Sequence, residues 1–341
     1  METKNFGPGE VPHSVMQLCT TDADDHAAKL GRWDQIYEQL TPGLFAGSVT
    51  EAWFGCLQLF RETTSQSVHQ AGRAWQGSST FGVPLAMEGE ACFHGSKLHL
   101  GDAIVLDGRD ELDFCTPRRF DIIAVTLDSA VLGDYADTVE HCVVANTKLS
   151  STKVIVSDST RVEVFGQFLR TMLDSVLATP ELLHYPQLQK ALEEAMLGSV
   201  LSLIGNYDHS AQKPKRNCIS RCEVVRRAKA YVKEYMCSCV DPSLTIGDLC
   251  RELNVSRRTL QYSFQDVLDI NPVAYIRAMR LNGVRRELKL AMTETETVQD
   301  IAARWGFWHL SHFCTDYRLM FGELPSATLR LKTANSERNA H

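Results

Sequence analysis

Residues 245–264 read T-I-G-D-L-C-R-E-L-N-V-S-R-R-T-L-Q-Y-S-F, and residues 297–317 read T-V-Q-D-I-A-A-R-W-G-F-W-H-L-S-H-F-C-T-D-Y. Pro272 stands eight residues beyond Phe264, and Pro325 eight beyond Tyr317. The stretch is an internal repeat of helix-turn-helix size whose copies differ by one residue in the turn. Each copy opens on Thr-x-x-Asp, in which the hydroxyl accepts from an orphan helix N–H and the carboxylate reaches back to the cap. Helices are therefore expected to start at Thr245 and Thr297. Leu249 with Leu253, and Ile301 with Trp305, share a face at i,i+4 spacing. Leu260 with Phe264, and Phe313 with Tyr317, repeat that spacing in the next helix, so each pair of helices packs through one apolar seam.

The outward positions after each turn differ in chemistry. The first copy presents Ser256, Arg257, Arg258, Gln261 and Tyr262; the second presents His309, Ser311, His312, Thr315 and Arg318. Such side chains reach phosphates and base edges. Between the copies, 272–290 reads P-V-A-Y-I-R-A-M-R-L-N-G-V-R-R-E-L-K-L, with Pro suited to a first helical position. A helix of that length spans about 28 Å, close to the roughly 34 Å repeat of successive major grooves on one DNA face. Arg277, Arg280, Arg285 and Arg286 add charge to it.

The doubled motif, together with R-L-N-G-V-R-R-E-L, W-G-F and F-G-E-L-P-S, resembles the DNA-binding domain of the AraC/XylS regulators. The resemblance implies an all-α C-terminal domain in which two helix-turn-helix motifs, joined by a linker helix, read double-stranded promoter DNA. Two departures stand out. The turn Gly expected before Pro272 is replaced by Asp269-Ile270-Asn271, where Asp or Asn can supply the left-handed conformation. Trp308-His309 occupies the place of a small capping residue.

Length and charge divide the chain. Its 341 residues suffice for two domains. The net charge of −7 is uneven: residues 218–332 hold 17 Lys+Arg against 13 Asp+Glu, a balance of +4, while 1–217 hold 17 against 28, a balance of −11. The acidic half is expected to stay off the phosphates. No apolar run approaches membrane length and the first ten residues lack a signal-peptide pattern, which points to a cytoplasmic protein with no membrane partner. Eleven cysteines lie without a paired C-x-x-C pattern. Cys218, Cys222, Cys237 and Cys239 cluster ahead of the first reader, where zinc or a redox switch competes with the plainer reading of reduced cysteines.

In the front half, 1–25 reads as a loose arm and His26–Leu40 as a helix, from Leu30, Trp33, Ile36, Tyr37 and Leu40. Short β-type runs follow at Trp53–Phe60, Ser79–Val83, Leu98–Leu106 and Ile122–Leu127, indicating a cupin-like antiparallel barrel or sandwich with flanking helices and room for a small cavity. Its aromatic residues mostly fill a core. A carboxylate beside an aromatic face would suit a small amine, which makes Glu51, Trp53, Glu62, Trp75, Glu88 and Phe93 the effector-binding candidates. Two amphipathic helices, 161–179 and 186–205, either pack on the barrel or form a homodimer interface. Residues 206–217 read as the linker, placing a sensing or dimerisation domain at 1–205 and the DNA-binding domain at 218–332.

W-D-Q-I-Y-E-Q-L-T-P-G, F-R-E, F-G-V-P and D-F-C-T-P in front, with V-S-R-R-T-L-Q and W-G-F-W-H-L behind, are similar to the ethanolamine-utilisation regulators of the same type. That likeness implies a cytoplasmic activator whose barrel senses ethanolamine with adenosylcobalamin and whose C-terminal domain binds promoters; the D-x-H-x-x-G signature of many cobalamin proteins is absent. A likeness to AraC-type regulators of quorum sensing and virulence in pseudomonads implies instead control by protein level or protein partners. The two long amphipathic helices also allow a front half that mainly binds a protein, such as a protease adaptor or RNA polymerase. A third reading, a cupin-like metal enzyme using His94, His99 and Glu88 or Glu90, lacks the usual His-x-His or Glu-rich spacing, so neither catalysis nor a metal is expected.

Overall fold

The computed structural model describes residues 15–138, 152–155, 159–204, 216–238, 244–291 and 296–330. β1 (Val15–Thr20) leads into a short helix α1 (Ala23–Ala27), then β2 (Asp34–Gln39), β3 (Gly47–Phe54), β4 (Leu57–Thr64), β5 (Val68–Arg73) and β6 (Ser78–Glu88). β7 (Ala91–Phe93), β8 (Ser96–Leu98), β9 (Ala103–Asp107), β10 (Leu112–Thr116), β11 (Arg118–Asp128) and β12 (Lys153–Ile155) follow. They make a seven-stranded sheet, β1-β3-β4-β11-β6-β9-β12, and a five-stranded sheet, β2-β5-β10-β7-β8. The N-terminal domain is thus an antiparallel β-sandwich.

Alternation along the strands explains why the two sheets can be covered on both sides. Phe114 and Phe120 point inward and meet edge to face, 5.4 Å between ring centroids, with Phe93 5.5 Å from Phe114. Ile104, Leu106 and Ile122 complete that interior. Leu57, Leu59, Ile123, Val125 and Leu127 point the other way, beneath helices α2 (Ser129–Thr138), α3 (Ser159–Ala178) and α4 (Pro186–Ile204). The stripes of α3 and α4, including Phe165, Leu169, Leu173, Met196 and Val200, are spent on that sheet. Val164, Tyr185 and Leu188 remain exposed.

The front of the chain departs from its sequence reading in three places. Residues 1–14 lie outside the described set, and 15–27 form β1 and α1 rather than a loose arm. The helix expected over His26–Leu40 is replaced from Asp34 onward by strand β2, paired in register with β5. The chain turns at Arg32, which adopts φ +60, and Ile36 is 51% exposed, so the apparent helical spacing of Leu30, Trp33 and Ile36 was coincidental. Two of the expected runs are not single strands: Trp53–Phe60 is a hairpin turning at Gly55 (φ +57), and Leu98–Leu106 joins the end of β8 to β9 across a turn through Gly101 (φ +91).

The C-terminal domain follows the doubled motif. α5 (Arg216–Ser238) precedes α6 (Ile246–Leu253), whose N-cap Thr245 makes the full capping box with Asp248. α7 (Arg257–Leu268) is capped by Ser256 and closed by Asp269 at φ +54, the left-handed turn expected there without glycine. Asn271 caps the linker helix α8 (Pro272–Leu290) at 2.8 Å from the Ala274 amide. α9 (Val298–Arg304) repeats the capping box with Thr297 and Asp300, and α10 (Leu310–Phe321) starts at His309 with no side-chain cap. Gly283 in mid-helix has a steric cause: a Cβ there would stand 2.2 Å from the Trp305 ring, so α8 and the second motif meet only over glycine. The segment expected as linker falls largely outside the described residues, and its last two positions open α5.

Candidate nucleic-acid interface

The second helix of each motif, α7 and α10, buries one face and exposes the other. In α7, Leu260 and Phe264 are fully buried, while Arg257, Arg258, Gln261 and Tyr262 are exposed beside the exposed cap Ser256. The Arg258 guanidinium lies over the Tyr262 ring, 5.3 Å from its centroid, with Nη2 3.4 Å from the hydroxyl. Stacking of this kind orients a guanidinium fork while leaving its donors open. In α10, Phe313 and Tyr317 form the buried face, and His309, Ser311, His312, Thr315 and Arg318 stand in solvent. The His309 and His312 rings lie edge to face at 6.2 Å. The structure adds an exposed Trp308, ahead of the helix, that the sequence reading had treated only as a poor cap.

The arginines of α8 occupy a different environment. Arg277 is exposed and pairs with Asp316 of α10, tying the linker helix to the second reader. Arg280 is half-buried and donates to the Leu244 carbonyl at 3.1 Å. Arg285 is 9% exposed, its Nε donating to Asp22 at 2.6 Å and its Nη1 2.9 Å from Glu323. Arg286 reaches Glu38 at 2.6 Å and Asp24 at 3.3 Å, and Lys289 pairs with Asp22 and Asp25. The last three cations of the linker helix therefore grip α1 and β2 of the sandwich, not an open surface. Sequence reasoning assigned Arg285 to phosphates and missed its partners, which lie in D-A-D-D at 22–25 and at Glu323, with no local pattern linking them to R-R-E-L-K at 285–289.

The rest of that seam is hydrogen-bonded. Asn282 accepts from the Gln39 amide at 3.1 Å and donates to the Gln39 carbonyl at 2.8 Å, so the linker helix caps the edge strand β2. Gln39 Nε2 donates to the Met320 carbonyl at 2.8 Å. Burial pushes the Glu38 carboxyl up to about 7 despite the Arg286 guanidinium beside it. Asp22 is held below the usual carboxylate range: burial alone would raise it, but Arg285 and Lys289 outweigh that cost.

The effector candidates fall into three places. Glu51 is buried and accepts from Trp53 Nε1 and Gln58 Nε2, each at 2.5 Å, while Trp75 lies 5.5 Å from Trp53 and Arg32 covers that ring at 4.9 Å. Glu62 and Phe93 line a cavity of about 30 Å³ between the sheets, with Trp33, Tyr37, Gln70 and Phe114. There Glu62 accepts from Tyr37 at 2.7 Å and Gln70 at 3.2 Å and lies 3.0 Å from His26. Glu88 sits apart, exposed and paired with Arg119. His94, His99, Glu88 and Glu90 do not gather: His99 bonds Asp102 and Glu90 pairs with Lys97. Among the described residues the set within metal-ligand reach is His69, Asp113 and Cys115, and the Lys229 ammonium already stands in it, donating to Asp113 and lying 3.5 Å from Cys115 Sγ.

Comparison with known proteins bears on the C-terminal region above all. Residues 249–331 match the family described as "Helix-turn-helix domain". The chain is 30% identical over 161 residues to the probable thc operon regulatory protein of Rhodococcus erythropolis, covering 46% of each; it spans about half the length of that relative. It is 23% identical over 290 residues to the XylDLEGF operon transcriptional activator of Pseudomonas putida, covering 84% of this chain and 85% of that one. The solved AraC-like transcriptional activator CuxR aligns over 80% of this chain and 96% of its own, with 16% identity and a TM-score of 0.42.

Proposed function

We propose that this chain, whose residues 249–331 match a helix-turn-helix domain family, is an AraC/XylS-type sequence-specific transcriptional regulator, each copy of which reads two adjacent major-groove segments of promoter DNA. The observation that carries the reading is the pairing of two capped helices, α7 and α10, whose outward faces are free and polar, across one linker helix. Arg258, Gln261 and Tyr262 read bases in the first groove, since Arg pairs bidentately with guanine and Gln with adenine. Ser311, His312 and Thr315 serve the second, with Ser256, Arg257, His309 and Arg318 on flanking phosphates. Arg277 and Arg280 lie toward the readers, whereas Arg285 and Arg286 hold the sandwich.

In this reading residues 1–205 sense a signal or dimerise and 218–332 bind DNA in the cytoplasm, activating transcription with RNA polymerase. Among the described residues no helix is long and apolar enough to cross a membrane. The Glu62 cavity, with a carboxylate among aromatic walls, suits a small amine such as ethanolamine. Its volume holds about two water molecules, so adenosylcobalamin would need a site elsewhere. The same small volume favours a second reading, in which quorum-sensing or virulence control acts through protein partners or a second copy on the exposed Val164, Tyr185 and Leu188 of the α3–α4 face.

The test is quantitative binding of the full chain to duplex DNA from its own upstream region, at two salt concentrations, with and without ethanolamine plus adenosylcobalamin. Specific, salt-dependent binding supports the regulator, and tightening by both ligands supports the amine effector. Equal affinity for upstream and scrambled duplexes would remove sequence-specific regulation.

A further inference from the structure

Three cysteines meet where the sandwich touches the C-terminal domain. Cys92 in β7 faces Cys115 in β10 across the ladder, both on the outer side of the five-stranded sheet. α5 crosses this face and brings Cys222 against them, within a seam otherwise made of Val225, Ala228 and Val232. All three sulfurs belong to residues 4% exposed. Cys92 and Cys222 belong to one buried cluster, their side chains meeting where α5 crosses β7. A Cβ placed on Gly95 would lie 3.4 Å from the Cys222 Cβ, so the β7–β8 turn approaches α5 to side-chain contact. Lys229, two helical turns along α5, sets its ammonium on Asp113 and 3.5 Å from the Cys115 sulfur. Reading DNA uses none of these groups.

We propose that Cys92 and Cys222 form an oxidation-dependent disulfide that covalently joins the sandwich to the DNA-binding domain. The oxidant is a hydroperoxide. One thiol, as its thiolate, attacks the peroxide oxygen and becomes a sulfenic acid as the alcohol, or water from hydrogen peroxide, departs. The second thiolate then displaces hydroxide from that sulfur, which leaves as water with the proton given up by the thiol. Two electrons leave the two thiols, the S–S bond forms, and the O–O bond is reduced.

The surroundings set when this happens. Donation of the Cys92 S–H toward Cys222, together with burial, holds the Cys92 thiol far above its ordinary pKa, and burial pushes Cys115 up to about 11 although Lys229 opposes it. Thiols held protonated react slowly with peroxide. The first oxidation therefore occurs when the seam opens and one sulfur reaches water, and reclosure delivers its partner. A metal is a poorer occupant, because a buried lysine ammonium already balances Asp113 beside Cys115.

The consequence for DNA rests on the regulator reading above, and the experiment separates the two. The full chain is treated with hydrogen peroxide, alkylated, digested without reductant and mapped by mass spectrometry, while a parallel sample is titrated with its upstream duplex. A Cys92–Cys222 peptide pair that disappears on adding dithiothreitol is the expected result, together with at least tenfold weaker DNA binding by the cross-linked form. Cys92→Ala and Cys222→Ala should each abolish the pair and Cys115→Ala should keep it, with a thermal melt confirming that each variant is folded. The mapping on the unmodified chain needs no variant. A Cys92–Cys115 product instead, or over-oxidised single cysteines, overturns the proposal. A Cys92–Cys222 bond in a protein that binds no DNA in either state upholds the bond and overturns the regulator reading.

Discussion

Arg258 and Arg285 show how far one residue type can diverge. Arg258 is exposed and stacked on Tyr262, with one Nη2 donor on the Tyr262 hydroxyl. Arg258→Ala is expected to cost about 1–3 kcal/mol on the cognate duplex and much less on a scrambled one, with little change in melting temperature. A competition titration checks this; equal losses on both duplexes would take Arg258 off the readout list. Arg285 sits 9% exposed between Asp22 and Glu323, with its Cζ 4.5 Å from the centre of the Phe321 ring. Removing it leaves Asp22 to Lys289 and Glu323 to the Thr328 hydroxyl, and the loss expected for Arg285→Ala is about 1–3 kcal/mol of stability, read in a denaturant titration. From the sequence alone both were DNA contacts. Nothing in R-R-E-L-K announces that a carboxylate 263 residues earlier will claim one of its arginines.

Glu38 carries a pH signature at the same scale. Burial raises its carboxyl to about 7 in the folded chain, against an unfolded value of about 4.5, with Arg286 and Lys233 opposing the shift and Asp24 adding to it. The folded state thus holds a proton that the unfolded state has released between those values. Stability from this group is greatest below about 4.5 and falls as pH rises to about 7, by at most about 3 kcal/mol. Denaturation midpoints for the unmodified chain and Glu38→Gln at pH 5.5 and 7.5 check it: the variant should lose less stability on going to the higher pH.

At the scale of elements, the two motifs differ in how their ends are secured. Both first helices begin on a complete Thr–Asp capping box, so Thr245 and Thr297 were placed correctly from four-residue patterns. Thr297→Ala is expected to cost about 1 kcal/mol, measurable as a lower denaturation midpoint. Asp269 also did what its position demanded, since only a left-handed residue lets Asn271 cap the linker helix. The stretch R-L-N-G-V-R-R-E-L gives no local reason for Gly283, because the reason is the Trp305 ring of another helix. Gly283→Ala should cost about 1–3 kcal/mol as the two helices separate, where alanine in an unhindered helix would stabilise. A thermal melt at or above that of the unmodified chain would show that the crossing has slack. β2 was misread for a related reason: Leu30, Trp33, Ile36 and Tyr37 fit a helical period, yet hydrogen bonding to β5 and the Arg32 turn made a strand.

Across the whole molecule the charge asymmetry acquires a physical use. The front half's excess of acid is partly spent on the basic end of the linker helix, through Asp22, Asp24, Asp25 and Glu38. These are the same kind of cations that DNA phosphates would attract, so under the proposed function docking and DNA would compete for one helix if the seam opens. The five-stranded sheet, covered on its outer face by α5, α7 and α8, is the larger part of that contact. Asp22→Asn combined with Glu38→Gln should weaken the seam, seen as faster hydrogen exchange in β2 and α8 with the reader faces unchanged. Unaltered exchange would mean that the apolar seam around Val225 and Val232 suffices.

Local pattern determined the doubled motif, its caps and turns, the outward faces of α7 and α10 and the β-rich front half, because each depends on residues within a turn or a strand of one another. The tertiary structure alone decided that β2 is a strand, that Glu62 and Phe93 share a cavity while Glu88 does not, that Gly283 makes way for Trp305 and that Arg285 and Arg286 face carboxylates rather than solvent. Those outcomes join residues from tens to hundreds of positions apart, and a side chain's partner at that range is fixed by how the sheets and helices pack, not by its neighbours in sequence.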